Sequence, residues 1–473
     1  MFYEERFLNS ARTVLLLNPP GEDVYIRDYY CSKSSRTDYT FPPIDLLHSG
    51  GHFRERSWTV SAIDAIVQNL SIDAVLEQVK SIDPNVIFML VGAVSVVEDA
   101  AFIKKLREVV GESTVLIGSG DVLREHGKKW VGSGLLDAAT MDFSSPSPVL
   151  YGEGMREGLF DLIYRDHENN VVVGGKEKGR KISVGLPPHD LFKSFPYRFP
   201  FARHLPFASV LTDYGCPFRC SFCVMAGLHY HRRPLDEIAA EFQSLKSQGI
   251  REFIIWDQTF AVDRKRGMEI LDLLPEGKDK FSWSCLIRPD RIDDELAQKM
   301  MAKGCHTAIM GVESSKEETL IDIKKDFTTK EVRSAMATCR RAGLELVTTV
   351  IVGLPGETEA DVTATMDFIC DIDPDYVSVH TAIPRSGTEL RAAMVDQGLI
   401  NADMEEMDQS GEQMTISSDA LSAEKILKLR QRFNRRFHLR PKYLLRMGFR
   451  RLRHPRLFFE QLRQGLTLLG RNA

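Results

Sequence analysis

The sequence predicts an α/β protein built from two successive parallel sheets and a helical end. Short apolar runs alternate with helical patterns over two separate stretches, a segment rich in proline and aromatic residues divides them, and the chain turns strongly basic from Lys425 onward. Apolar strands joined by helical crossovers form parallel sheets covered by helices on both faces.

The first stretch supplies strands at 13–18, which stops at Pro19 and Pro20, and at 58–63, 85–91 and 114–117, with helical patterns at 72–82 and 97–110. Residues 1–148 are therefore expected to form a Rossmann-like domain with ligands at the carboxyl ends of its strands. Over 149–204 the periodicity weakens and Leu186-Pro-Pro188 and Phe195-Pro-Tyr-Arg-Phe-Pro200 appear, so this segment reads as a connecting arm. Alternation then returns, with six candidate strands near Ser209, Phe253, Ser282, Ala308, Val347 and Val377 and helical segments such as 235–248, 295–303 and 330–342. Residues 205–400 thus read as a partial (βα)6 barrel whose chemistry lies at the carboxyl ends of its strands. The remainder, 401–473, is an extension: an acidic, Met/Ser-rich surface excursion over 401–420, then basic amphipathic helices.

At 473 residues the chain exceeds one ordinary core, and 43% hydrophobic with 27% charged residues is the composition of a soluble globular protein. The net charge of -5 divides sharply: 15 Lys/Arg against Glu460 give +14 over 425–473, while the other residues carry 46 basic and 65 acidic groups, or -19. Eight cysteines, most of them isolated, make no disulfide framework, and the expected compartment is the cytoplasm. The amino terminus lacks the basic and apolar regions of a secretory signal, and the longest apolar run, 86–97, is broken by Gly92 and Ser95, so no bilayer span is expected.

Chemistry concentrates in Tyr214-Gly-Cys-Pro-Phe-Arg-Cys-Ser-Phe-Cys223. Cys216, Cys220 and Cys223, spaced C-x3-C-x2-C directly after the first barrel strand, offer three thiolates to one compact centre, whereas a closed zinc or iron-sulfur site takes four ligands. The centre is one ligand short. A zinc site completed by His229 or His231 uses the same donors and remains open at this level. Cys285, Cys305, Cys339 and Cys370 fall in predicted strands and helices without ligand spacing and read as buried thiols.

The triad, the Gly-Cys-Pro entry and Phe222 before the last cysteine resemble the radical SAM enzymes. The resemblance implies a [4Fe-4S] cluster on the three cysteines, with S-adenosylmethionine (SAM) on the open iron and reductive cleavage of SAM to a 5'-deoxyadenosyl radical. Later segments are similar too. Trp256-Asp257-Gln258-Thr259-Phe260 looks like the family's D-x-x-F motif, which implies Asp257 as a contact to the SAM amino group; read alone, the same Asp is a helix cap. Arg288 is suited to the SAM carboxylate, and Glu313, in Gly311-Val-Glu-Ser314, to the SAM ammonium or ribose, although either also suits a structural ion pair. Val350-Ile-Val-Gly-Leu-Pro-Gly-Glu357 resembles the adenine-contacting region, with Gly353 allowing close backbone approach.

A Rossmann-like domain ahead of this barrel resembles the cobalamin-binding domain of the B12-dependent radical SAM enzymes, the group of the anaerobic Mg-protoporphyrin ester cyclase, the hopanoid-associated proteins and the class B methyltransferases. By position, Gly92-Ala-Val-Ser95 looks like the loop lining the cobalamin nucleotide tail, and Gly118-Ser119-Gly120 like the glycine turn beneath it. The D-x-H-x-x-G motif that supplies a lower histidine ligand is absent, which argues against a His-ligated cobalt; His48 and His52 read as solvated or capping loop residues. Methylthiotransferases share the arrangement, but their first domain carries three cysteines and this one has Cys31 alone.

The resemblance implies methylation of an unactivated carbon of a small hydrophobic or lipid-like metabolite, with radical cyclisation or rearrangement, or a non-catalytic cobalamin and iron-sulfur regulatory protein, as alternatives. A flavodoxin or ferredoxin would supply electrons. The tail, 425–473, interleaves Leu and Phe with Arg; it reads either as amphipathic helices packed on the barrel or as a peripheral contact with the inner face of the membrane, and no nucleic-acid module accompanies it.

Overall fold

A computed structural model of the chain describes residues 12–27, 32–33, 39–140, 162–166, 168–174, 183–227, 230–404, 407–408 and 416–451. The first sheet contains β1 (Thr13–Asn18), β2 (Thr59–Asp64), β3 (Val86–Leu90), β4 (Val115–Ser119), β5 (Ala138–Thr140), β6 (Leu162–Arg165) and β7 (Val171–Val173), in the spatial order β2-β1-β3-β4-β5-β6-β7. Strands β1 to β5 are parallel and β6 and β7 antiparallel. The order 2-1-3-4-5 is doubly wound, with its switch point between β1 and β3. Helices α1 (Ile44–Glu55), α2 (Ile72–Ile82), α3 (Val96–Val110) and α4 (Leu123–Gly132) cover its faces. Leu15, Leu16 and Leu17 are all buried, as in a strand covered on both sides.

The second sheet is β8 (Phe207–Val210), β9 (Glu252–Ile255), β10 (Ser282–Leu286), β11 (Cys305–Glu313), β12 (Glu345–Val352) and β13 (Tyr376–Thr381), paired in that order and parallel throughout. Its helices are α5 (Leu235–Ser247), α6 (Arg264–Asp272), α7 (Asp294–Ala302), α8 (Thr329–Ala342), α9 (Glu359–Ile372) and α10 (Glu389–Asp396). Capping boxes, Thr328 with Glu331 and Thr358 with Asp361, start α8 and α9 where the sequence turns periodic. Cys285, Cys305 and Cys339 are buried, and burial, then the neighbouring Cys305, holds the Cys285 thiol well above its ordinary pKa, so neighbouring strands bring together thiols that are far apart in sequence.

Three expectations need correction. Strands β6 and β7 fall inside the expected arm and extend the first sheet; the expected boundary at 148 lies outside the described residues. His48 and His52 are not in a solvated loop: both are buried in α1, whose Gly50 and Gly51 let Leu16, Pro188 and Val184 approach its backbone. Burial holds the His48 imidazole well below its ordinary pKa, reinforced by the Arg233 charge. Part of the 401–420 excursion is interior, since Met407 is buried and its N–H donates to Ala93 O at 3.0 Å. Helix α11 (Ala423–His438) packs on β13 and α9, burying Ile426, Leu429, Phe433 and Phe437 in the barrel core, in line with the reading of this segment as an amphipathic helix packed on the barrel.

The carboxyl edges of the two sheets meet. Arg385, just past β13, pairs at 2.6 Å with Asp121, just past β4, and Tyr197 of the arm donates to Asp64 at the end of β2 at 2.8 Å. Phe41 packs on Trp256 at 4.4 Å, and Phe199 on Trp256 at 5.6 Å. Among the described residues no helix is long and apolar enough to cross a membrane.

If α11 completes the barrel core, Phe433→Ala should cost about 3–5 kcal/mol, the range for truncating a buried phenylalanine. Denaturant unfolding should show it; a loss within about 0.5 kcal/mol, as for a surface site, would place α11 outside the core.

Candidate functional site

The cysteine loop leaves β8 at the carboxyl edge and is held on every side. Asp213 and Tyr214 pair antiparallel with Arg232 and His231, closing the loop's two ends together. Buried Asp213 accepts the Arg266 Nε–H at 2.7 Å and the Tyr230 hydroxyl at 2.6 Å. Between Cys220 and Cys223, the Ser221 N–H donates to Ile323 O at 3.1 Å while Ser221 O accepts the Leu390 N–H at 2.9 Å. The loop is bound to the ends of three different βα units.

Asp257 is central to this clamp. It accepts the Thr212 N–H at 2.6 Å, the Thr212 hydroxyl and the Asp213 N–H at 3.1 Å. Both oxygens are therefore committed to the residues just before the loop, and Asp257 neither caps a helix nor faces outward; α6 is capped by Asp263 instead. Burial, then the neighbouring Asp213 charge, raises its pKa to about 7.

Arg288 is likewise engaged by its own chain. Its Nε–H donates to Asp290 at 2.9 Å, its other arm to Lys325 O, and its plane lies 3.7 Å from the Phe218 ring centroid. The fork suited to a carboxylate is occupied by the chain itself, and Arg288 presses on the residue between Cys216 and Cys220. Gly353 is also turned inward. At φ +89° it donates to Glu357 at 2.6 Å, and a Cβ there would lie 2.6 Å from Ile426 of α11.

Glu313 keeps the most distinctive geometry. The β11–β12 register shifts between Gly311 and Glu313, and Glu313 adopts φ +65°, a left-handed conformation costly for a side chain with a Cβ. A Cβ at Gly311 would lie 2.4 Å from Glu313 Oε1, which accounts for that glycine. The carboxylate is buried and pairs with Lys325 at 2.9 Å. Lys325 was not foreseen: its ammonium lies 5.5 Å from the half-buried Phe222 ring and feels the Cys220 thiolate. Burial works against its charge, yet Glu313 and Cys220 prevail and hold its pKa above the ordinary value.

The three thiols are close enough to perturb one another, and burial, then the neighbouring Cys220, pushes Cys223 up to about 12. Among the described residues no set of His, Cys, Asp or Glu converges on a single ion; His229, one candidate fourth zinc ligand, lies outside them. Three thiolates on one short loop suit a cluster that takes one from each of three irons. Lys325 and Arg288 beside them supply positive charge that offsets the bound thiolates.

In the first domain Gly92, Ser95, Gly118, Ser119 and Gly120 do gather at the carboxyl edge, but their polar groups are used internally. Gly92 N and Ser95 Oγ both donate to Asp99 at 2.9 Å, Ser119 Oγ donates to Asp45 at 2.9 Å, and Gly118 packs on Leu136. A Cβ on Gly120 would lie 2.0 Å from Val91 O, so β4 can turn there only with glycine. Arg27 fills the switch point, bound to Asp99, Asn18, Pro19 O and Pro20 O. Among the described residues no histidine stands at the switch point, which fits a ligand held without a lower protein ligand.

Residues 210–369 match the model of the Radical SAM superfamily. Over 455 residues, 92% of this chain and 94% of the relative, the sequence is 26% identical to an uncharacterized methyltransferase of Pyrococcus horikoshii. The fold is similar to that of the radical S-adenosylmethionine methyltransferase TsrM from Kitasatospora setae, solved with cobalamin and a [4Fe-4S] cluster (TM-score 0.62, 18% identity, 82% of this chain and 75% of that one). It is likewise similar to the cobalamin-dependent S-adenosylmethionine radical enzyme OxsB (TM-score 0.63, 14% identity, 91% of this chain and 62% of that one).

Alanine at Cys216, Cys220 or Cys223 should abolish iron content after anaerobic reconstitution, while alanine at Cys285, Cys305, Cys339 or Cys370 should leave it intact; iron retained in a triad variant would break the ligand assignment. A second expectation concerns pH. Burial raises the Glu357 pKa from 4.5 to about 7, despite the N–H groups of Gly353 and Leu354. A raised carboxyl favours the fold only while protonated, so this contribution is complete below about pH 4.5 and lost as pH climbs through 7. Glu357→Gln, which stays neutral, should gain about 3 kcal/mol on the native chain across that window, and parallel unfolding curves at pH 5 and 8 would contradict it.

Proposed function

We propose, on the premise that residues 210–369 are a radical SAM domain, that the chain is a cobalamin-dependent methyltransferase acting on an unactivated carbon of a hydrophobic metabolite. When bound, the cluster and SAM supply a 5'-deoxyadenosyl radical for hydrogen abstraction, and cobalamin supplies the methyl group.

The observation that carries this reading is the opposition of the two carboxyl edges across an apolar boundary. Cys216 and Cys223 pack against the same apolar cluster as Leu286 and Ile309, and that cluster joins Phe41 and Leu90 of the first domain to Leu211, Tyr214 and Trp256 of the second. A radical needs a dry site in which only the intended carbon–hydrogen bond is within reach, and such a cluster excludes water while accepting an apolar substrate. The methyl-transfer part is supported by the full-length similarity to a named methyltransferase and by the fold shared with TsrM and OxsB.

The residues then divide into holders and positioners. Cys216, Cys220 and Cys223 hold the cluster. Glu313, fixed by its own backbone and by Lys325, offers a carboxylate oxygen to the SAM ammonium or ribose, and Lys325 steadies the negative charge next to Cys220. Asp257, Arg288 and Phe222 keep the loop in place. Small residues at Gly92, Ser95, Gly118, Ser119 and Gly120 leave room for cobalamin over the first sheet.

Anaerobic incubation of the reconstituted, reduced protein with methyl-labelled SAM is expected to release 5'-deoxyadenosine and to place label in an apolar product. Deoxyadenosine without label in any product would replace methyl transfer by cyclisation or rearrangement, and no deoxyadenosine would reduce the protein to a non-catalytic role.

A further inference from the structure

Nine of the described residues other than glycine adopt positive φ, and three of them surround one ion pair. Glu313 sits at φ +65°, while its partner Lys325 lies between Lys324 at +57° and Asp326 at +53°. Aspartate tolerates this region, but for lysine and glutamate it is costly. Strained positions of this kind collect where a structure must hold one particular arrangement.

The pair is fixed in place. Gly311 leaves it room, since a Cβ there would lie 2.4 Å from Glu313 Oε1 and 3.0 Å from Lys325 Nζ. The Lys325 N–H donates to Leu320 O at 2.9 Å, Lys325 O accepts from Arg288, and Ile323 O, two residues earlier, accepts the Ser221 N–H between Cys220 and Cys223. The turn that carries the ammonium is therefore tied to the loop that carries the thiols.

The ammonium is buried, with Nζ 5.5 Å from the Phe222 ring and 5.7 Å from the Phe327 ring. Glu313 accepts the Thr349 hydroxyl of β12 on its other oxygen at 3.4 Å. Burial raises the thiols of Cys216 and Cys223, and the Lys325 charge works against it in both; the same charge interacts with Cys220. All three candidate ligands thus feel one buried cation, and charges away from water are screened little by salt.

We propose that Lys325, held by Glu313, sets the reduction potential of the iron-sulfur cluster on Cys216, Cys220 and Cys223. Reduction adds one negative charge, and the potentials of such clusters follow net charge and surroundings. A fixed cation nearby favours the reduced form, and the carboxylate paired with it limits that effect. The inference rests on the cluster reading of the three cysteines and needs neither SAM cleavage nor methyl transfer.

Redox titration of the anaerobically reconstituted full chain without SAM, with the reduced cluster followed by electron paramagnetic resonance, tests this. Lys325→Gln and Lys325→Met should each leave about tenfold less reduced cluster at a fixed solution potential, a fall of about 59 mV for one electron. Lys325→Arg, which keeps the charge, should stay near the native potential, and Glu313→Gln should shift it upward. Iron content controls for assembly. An unchanged potential in both neutral variants with full iron content would overturn the proposal, as would a fall in Lys325→Arg equal to that in Lys325→Gln, or a fall in Glu313→Gln. A native chain that assembles no cluster would overturn the reading of the cysteines and the proposal together, which keeps the two failures distinct.

Discussion

Asp257 has no exit to solvent, and its two oxygens bind the backbone and hydroxyl of Thr212 and the backbone of Asp213, where β8 becomes the cysteine loop. Everything distal depends on that tie. Three thiolates define a usable open coordination position only if their loop cannot relax around whatever binds, and rigidity of this kind comes from the layer behind the ligands. Here that layer is complete: a carboxylate below, the Asp213–Arg266 pair beside it, Ser221 bound on both its N–H and its C=O, and Arg288 stacked on Phe218. Asp257 and Arg288, which resemble cofactor contacts in sequence, also brace the loop that carries the cysteines.

What was legible in the sequence follows from the range of each interaction. The parallel strands and most crossover helices lie within a residue or two of their expected bounds, because buried apolar runs and capping boxes are local signals. The triad was legible for the same reason. Helix α1 was not: Gly50, Gly51 and buried histidines disguise it, and their reason is close packing against Leu16 and Val184, the latter more than a hundred positions away. Lys325 was equally hidden, since nothing near it in sequence marks a lysine that will reach Glu313 and Cys220. Asp257 and Arg288 were legible as residues, but their bonds to the cysteine loop and its surroundings were not, because a motif gives a position and not the direction of a side chain.

The first domain shows how a doubly wound sheet can keep its ligand edge while closing its own polar groups. Arg27 and Asp99 form a buried pair at the switch point and also satisfy Gly92, Ser95, Asn18 and two proline carbonyls. Removing one partner would strand the other charge in the interior, so the pair is costly to break even where it adds little net stability. The result is a preformed, nearly featureless platform opposite the cysteine loop, and the Asp121–Arg385 bridge sets the distance between the two.

Helix α11 has a consequence for how the molecule is made. The first domain is contiguous enough to fold as it emerges from the ribosome, but the barrel lacks Phe433 and Phe437 from its core until residue 438 has been synthesised. A nascent chain therefore holds its cysteine loop on an unfinished scaffold for the time needed to translate some two hundred further residues. A centre carried by this loop is thus firmly held only once α11, from a part of the chain far beyond the cysteines, has packed into the barrel core.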